Sequence, residues 1–309
     1  MILITANAHQ FLIDTFKEKG YDVLYAPDIS YQELTEQVSN AEGIVVTTRL
    51  AIDKAVIENA PKLKWIGRLG SGMELIDTEY ATSKNITCIS SPEGNRNAVA
   101  EHALGMLLSF MNKLQKSAAE VKEFKWLRNE NRGTEISGKT IGIIGYGNTA
   151  MAFAQLLSSF DVTMLACDKY KTGFGGKFIG EADIEQICRY SDIISFHLPL
   201  SKETKHMGDD LFFDKLRNKP FIINTSRGNI IETAALIRAL EQNKISGAAL
   251  DVLENEKLST LSALQKEQMD YLLHNENVLI TPHIAGYSHE AFYKMSEVLI
   301  RKLEAINLL

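Results

Sequence analysis

Ile141-Gly-Ile-Ile-Gly145-Tyr-Gly147-Asn-Thr-Ala150 decides how the rest of the chain is read. An apolar run leads into Gly145, and a helical apolar pattern follows at 149–160. The stretch therefore reads as strand, glycine turn and helix. Gly145 permits the tight turn. Gly147 lets the backbone approach a pyrophosphate, and Ala150 takes the third position, where a small residue packs helix on strand. The first-turn amides of Asn148 and Thr149 then face the phosphates. The next apolar run, 162–168, ends in Asp168, 23 residues after Gly145. A carboxylate there accepts from the adenosine ribose hydroxyls and repels a 2′-phosphate, which favours NAD over NADP. Lys169 and Lys171 follow directly and soften that preference.

Outward from this motif, short apolar runs alternate with amphipathic stretches. Strands are expected at 1–5, 21–26, 43–48, 64–69 and 87–90, with helices near 11–19, 32–39, 54–60 and 77–84. A long helix is expected over 97–124. The polar segment Arg128-Asn-Glu-Asn-Arg-Gly133 reads as a surface crossing between two domains. A second series follows, with strands at 140–145, 162–168, 193–198, 221–225, 248–252 and 278–281. Its helices are expected near 149–160, 184–189, 233–243 and 271–275, and a last one over 290–306. The Lys/Glu-rich stretch 254–267 reads as a solvated loop or short helix. Such alternation is the pattern of βαβ units, so the fold class is α/β with doubly wound parallel sheets.

At 309 residues the chain has the length of two domains. Its formal charge of −6 argues against a nucleic-acid binder, whose phosphate contacts need a basic face. No apolar run is long enough for a membrane span. The first residues carry no charged n-region of a signal peptide. Cys88, Cys167 and Cys188 form no C-x-x-C pair and read as reduced thiols of a cytoplasmic protein.

Three further segments carry unusual chemistry at strand ends. Asn224-Thr-Ser-Arg227-Gly228 puts an arginine after a buried strand, and its planar fork suits a carboxylate or an α-keto acid. Leu250-Asp251-Val-Leu-Glu-Asn-Glu256 ends another strand with acids, and Thr281-Pro-His283-Ile-Ala-Gly286 ends the last with a histidine. In open α/β sheets the ligand crevice lies at the strands' carboxyl ends. Oxidising an alcohol needs a base for the hydroxyl proton while a nicotinamide takes the hydride. His283 fits that role, Glu256 would orient its ring and raise its pKa, and Arg227 would hold the substrate carboxylate. Singly, each residue has an ordinary structural reading. Together, behind a nucleotide motif, they point to hydride transfer on a 2-hydroxy acid.

With these segments in hand, the sequence resembles the D-isomer-specific 2-hydroxyacid dehydrogenase family, especially its D-3-phosphoglycerate dehydrogenase branch. The likeness runs from about Ile44 to Gly286. It rests on Gly67-Arg-Leu-Gly-Ser-Gly72, Asn95-Arg-Asn-Ala-Val-Ala-Glu101-His102, the glycine loop after Ser137-Gly-Lys-Thr140, His197-Leu-Pro-Leu200, Asn224–Gly228, Leu250–Glu256 and Thr281–Gly286. The resemblance implies catalytic Arg227, Glu256 and His283, and NAD contacts that add Pro199, Thr225, Ser226, Asp251 and Gly286 to those above. It implies that the backbone of Gly70-Ser71-Gly72 receives the substrate carboxylate. It implies a Rossmann cofactor domain, 98–282, inserted in a flavodoxin-like substrate domain, 1–97 plus 283–309, and a homodimer formed through the cofactor domain.

The chain departs from the family pattern in places. Lys257 stands where proline usually follows the glutamate, and Gly72-Met-Glu-Leu75 replaces Gly-Val-Asp-Asn. Thr47-Thr-Arg49 replaces Arg-Ser-Arg, which leaves Arg49 as one of two expected phosphate ligands. Within the family the expected substrate is 3-phosphoglycerate, in serine biosynthesis, with glyoxylate, hydroxypyruvate or D-lactate chemistry as alternatives. A chain ending at Leu309 is expected to escape feedback by serine through a further regulatory domain. From another class, a non-catalytic NAD-sensing dimer would bind NADH without turnover.

Overall fold

The computed structural model describes all 309 residues, and they divide into two compact units. Met1–Arg96 with Gly286–Leu309 form the first, and Asn97–Ala285 the second.

The first unit is a five-stranded sheet in the order β2-β1-β3-β4-β5, every pair parallel. Its strands are β1 (Ile2–Ile4), β2 (Val23–Tyr25), β3 (Gly43–Val46), β4 (Trp65–Arg68) and β5 (Thr87–Ser90). This is the flavodoxin-like order. The connecting helices α1 (Gln10–Glu18), α2 (Tyr31–Gln37), α3 (Lys54–Glu58) and α4 (Thr78–Ser83) each start on a side-chain cap. Residues of β1, β3 and β4 are buried throughout, as strands covered on both faces must be. One face is completed from the far end of the chain. In α12 (His289–Ala305), Leu299, Ile300 and Leu303 join Phe16 and Trp65 in one core. Gly67 makes room for that helix, because a Cβ would lie 2.7 Å from Leu299 Cδ2 and push the side chain aside.

The second unit is a seven-stranded parallel sheet in the order β12-β11-β10-β9-β6-β7-β8. The strands are β6 (Thr140–Ile144), β7 (Thr163–Cys167), β8 (Gly180–Glu181), β9 (Ile193–Phe196), β10 (Phe221–Asn224), β11 (Gly247–Leu250) and β12 (Val278–Ile280). From β6 the chain builds outward through β7 to β8, then returns to lay β9 on the other side of β6. The β6/β9 seam is thus the topological switch point, where such sheets bind ligands. The helices are α7 (Asn148–Leu157), α8 (Ile184–Tyr190), α9 (Asp210–Lys215), α10 (Thr233–Glu241) and α11 (Ala263–His274).

Several expectations are corrected. The helix expected over 97–124 is two helices, α5 (Pro92–Met111) and α6 (Leu114–Lys122), parted where Lys113 turns left-handed at φ 51°. The polar segment 128–133 does not separate the units. It folds back on the α5–α6 break, where Lys113 Nζ donates to Glu130 O and Thr134 N to Met111 O at 2.8 Å each. The division falls inside α5 after Arg96, one residue from the expected 97, and after Ala285, three residues beyond the expected 282, so His283 belongs to the second unit. Its segment is tied there by backbone bonds from Thr281 N to Leu250 O and from His283 N to Asp251 O. Strand β8 and helix α9, of two and six residues, are too short to show in the apolar pattern. Helix α11 starts eight residues earlier than expected, on a capping box between Ser262 and Gln265. None of the helices is long and apolar enough to cross a membrane, and no three His, Cys, Asp or Glu side chains gather as metal ligands.

Candidate active site

In the second unit the turn after β6 is built as the glycines require. Gly145 sits at φ 87°, and a Cβ there would lie 2.5 Å from His197 O. Helix α7 starts at Gly147 with no side chain capping its first amides, and a Cβ at Gly147 would meet nothing within 4 Å. Ala150 is fully buried. The amides of Asn148 and Thr149 therefore stand at an uncapped helix end next to the open ground at Gly147, which suits an anion. Behind the turn, Thr149 Oγ1 lies 3.1 Å from His197 Nδ1, and His197 Nε2 lies 2.9 Å from Ser195 Oγ. Burial pushes the His197 imidazole down to about 4, so it is neutral and acts as a strut.

Asp168 closes the end of β7. Its carboxylate accepts from the amides of Tyr146 at 2.9 Å, Tyr170 at 2.9 Å and Lys171 at 3.1 Å. Burial alone would raise its pKa. The three amides and the Lys171 charge outweigh it and hold the group below the usual carboxylate range. Pro199 lies past β9, its carbonyl accepting from Thr204 Oγ1 at 2.6 Å. After β10, Asn224 orders the turn. It accepts from Ser226 N at 3.0 Å and Ser226 Oγ at 2.7 Å, and donates to Arg227 O at 3.0 Å. Thr225 Oγ1 is buried and has no hydrogen-bond partner. An uncapped helix end, open ground at Gly147 and an orphaned hydroxyl at Thr225 are what a bound dinucleotide would satisfy, and the residues present fit one.

Arg227 donates through Nη1 to Ser226 O at 2.7 Å. Gly228 must follow it, because a Cβ would overlap the Leu253 carbonyl. That close approach seats the 251–256 loop against the turn. There Glu256 Oε2 lies 2.8 Å from His283 Nδ1, with both side chains about 40% exposed. The Glu256 hydrogen bond raises the His283 pKa. Burial and the charge of Arg227 oppose it, and the charges of Glu256 and Asp251 reinforce it. Arg227, Glu256 and His283 are thus brought together. Glu254 is not part of the group. It pairs with His206 at 2.7 Å and accepts from Thr233 N at the start of α10.

Asp251, expected among the NAD contacts, is engaged by its own chain. Its side chain has no exposure, and it accepts from Thr281 Oγ1 at 2.6 Å, Ile284 N at 2.9 Å and Ala285 N at 2.8 Å. It braces the loop on which His283 sits at φ 56°. His102 joins this brace, its Nε2 lying 3.0 Å from Thr281 Oγ1.

Arg49, Gly70, Ser71, Gly72 and Gly286 belong to the first unit. Arg49 is exposed and donates to Thr5 O at 2.6 Å. Gly70, at φ 138°, spends its amide on Ser91 Oγ at 3.1 Å, so the expected anion cradle narrows to the amides of Ser71 and Gly72. Sequence reading missed Arg68, which is nearly buried and donates to Leu69 O and, at 3.0 Å, to Gly72 O. It holds the loop's carbonyls inward. The signal was available: an arginine inside an apolar strand needs partners.

Residues 104–285, nearly the whole second unit, match the family model described as D-isomer specific 2-hydroxyacid dehydrogenase, NAD binding domain. A D-3-phosphoglycerate dehydrogenase of Archaeoglobus fulgidus is 34% identical over 292 residues, which cover 94% of this chain and 54% of that protein. A glyoxylate reductase of Thermofilum pendens is 33% identical over 284 residues, 90% of this chain and 81% of that protein. The chain spans about half the length of the D-3-phosphoglycerate dehydrogenases of Archaeoglobus fulgidus and Methanocaldococcus jannaschii. Among solved structures, D-lactate dehydrogenase from Aquifex aeolicus, complexed with NAD and lactic acid, superposes with a TM-score of 0.85 at 26% identity. The match covers 99% of this chain and 96% of that one. The second unit is the NAD-binding domain of its family, and the chain belongs to the D-isomer specific 2-hydroxyacid dehydrogenases.

Proposed function

We propose that the protein is an NAD-dependent D-2-hydroxyacid dehydrogenase, and the contact between Glu256 and His283 beside Arg227 carries the reading. Hydride exchange is the chemistry that bound NAD supplies. The chain's own residues do the rest. Glu256 accepts from His283 Nδ1, which leaves Nε2 to take the hydroxyl proton in oxidation and return it in reduction. Arg227 presents a planar cation suited to the substrate's carboxylate or carbonyl oxygen. In the first unit, the amides of Ser71 and Gly72 suit a carboxylate in the same way.

Within the family the favoured substrate pair is D-3-phosphoglycerate and 3-phosphohydroxypyruvate, in serine biosynthesis. Relatives of that name at 34% and 30% identity support it, as does Arg49 in the loop that follows β3. The glyoxylate reductase likeness at 33% favours glyoxylate or hydroxypyruvate as a second reading. NADH oxidation with 3-phosphohydroxypyruvate, hydroxypyruvate, glyoxylate and pyruvate decides among them. A clear preference for the phosphorylated acid is the expected result. NADH binding without turnover on any of them would leave a sensor instead of an enzyme.

The protein is further proposed to be a homodimer in the cytoplasm. Supporting this, α6 buries none of its residues, and Phe124 and Trp126 beyond it are 101% and 78% exposed. Three free thiols suit a reducing compartment. Sedimentation should give twice the chain mass for the wild type and the single mass for Trp126→Lys. A wild-type monomer at micromolar concentration would end the dimer proposal.

A further inference from the structure

Beside Asp168 stands an ion pair for which the reaction has no use. Lys169 Nζ lies 2.6 Å from Glu203 Oε1, and the Tyr170 hydroxyl donates to Glu203 Oε2 at 3.0 Å. Glu203 comes from the turn after β9, and the turn itself is fixed. Ser201 N donates to Thr204 Oγ1 at 2.8 Å, and Thr204 Oγ1 donates to Pro199 O at 2.6 Å. Lys171, the other cation here, donates to Tyr146 O at 2.8 Å. The ground beside the Asp168 carboxylate therefore carries two lysines and one further acid, and that acid answers Lys169 directly.

A 2′-phosphate on the adenosine ribose would have to enter beside Asp168. Asp168 repels it, and so would Glu203. Lys169 would attract it if its charge were not already matched. We propose that Glu203 is a second determinant of cofactor choice, which keeps Lys169 engaged and so withholds it from the 2′-phosphate of NADP. This rests on reading the second unit as a dinucleotide site. Each partner lies more than half in solvent, with exposures of 62% and 55%. Such pairs add little to folding stability, so a change at Glu203 should act on a charged ligand and leave the fold alone. The mutual hydrogen bond raises Lys169 and lowers Glu203 in pKa, so both are charged at neutral pH.

The test is a titration of wild type, Glu203→Gln and Glu203→Gln/Lys169→Gln with NADH and with NADPH, read by nicotinamide fluorescence without substrate. In Glu203→Gln the NADPH Kd should tighten about tenfold while the NADH Kd stays within about twofold, and the gain should shrink as salt rises. The second substitution should erase the gain. The proposal is overturned by an unchanged NADPH Kd in Glu203→Gln with NADH bound normally. It is equally overturned if both dinucleotides shift together, or if the gain survives loss of Lys169. A wild-type protein that binds neither dinucleotide would overturn the reading of the unit itself, and this proposal with it.

Discussion

His283 takes a left-handed backbone, φ 56°, that side chains rarely adopt, and a buried carboxylate below it makes that conformation tenable. Its ring chemistry is set separately, by Glu256. Because the Glu256 hydrogen bond raises the His283 pKa, the protonated ring persists to higher pH than an isolated imidazole would. Reduction of a keto acid needs that protonated ring, and oxidation of a hydroxy acid needs the neutral one. Glu256→Gln removes the charge and should lower the pKa. The basic limb of the reduction profile should then move to lower pH, so that activity near pH 7.5 falls more than activity near pH 5.5. The acid limb of oxidation should move the same way. His283→Ala should cost both directions about 10²- to 10⁴-fold. The measurement is a pair of pH–rate profiles at saturating cofactor, and superimposable limbs would separate Glu256 from His283. The pairing was legible from chemistry alone, since a strand-end histidine needs an acid to orient it. The support beneath was not. Nothing in Leu250-Asp251-Val tells which way the carboxylate turns, so the brace that Asp251 supplies to the His283 loop leaves no signal in the sequence.

At the scale of elements, strands read well because buried parallel strands are nearly continuous apolar runs, as in Gly43-Ile-Val-Val46 and Phe221-Ile-Ile-Asn224. Short or irregular elements read poorly. Lys113 breaks a helix with neither glycine nor proline, and apolar spacing resumes at Leu114, so the break leaves no trace in the pattern. Helix α9 has six residues, and α11 hides its apolar face among glutamines, acids and a lysine. The Asp209 cap and the Ser262 capping box were visible signals that apolar periodicity alone overlooks. Loop packing also escapes periodicity, and Gly228 is the sharpest case. A methyl group there would meet backbone atoms of Leu253 and Glu254, which cannot swing aside as a side chain can. Gly228→Ala should cost about 1–3 kcal/mol and lower Tm by several degrees. It should also weaken catalysis beyond the thermal loss, since the displaced loop carries Glu256. An unchanged melting curve with full activity would show that the loop yields easily.

For the whole molecule, the decisive feature is that the first unit is discontinuous in sequence. Leu299, Ile300 and Leu303 complete a core whose other members, among them Ile2, Phe16 and Trp65, belong to the first 96 residues. On a ribosome those early residues emerge without the helix that covers them. About 190 residues of the second unit are made in between, which at ordinary elongation rates takes on the order of ten to forty seconds. For that interval the nascent first segment holds an uncovered apolar face around Trp65 and Phe16, a surface that chaperones bind and that sticks to its own kind. The second unit, contiguous in sequence, can fold while it waits. The protein's order of maturation is thus inside out, with the inserted unit finished first and the enclosing one sealed only when the last helix leaves the exit tunnel.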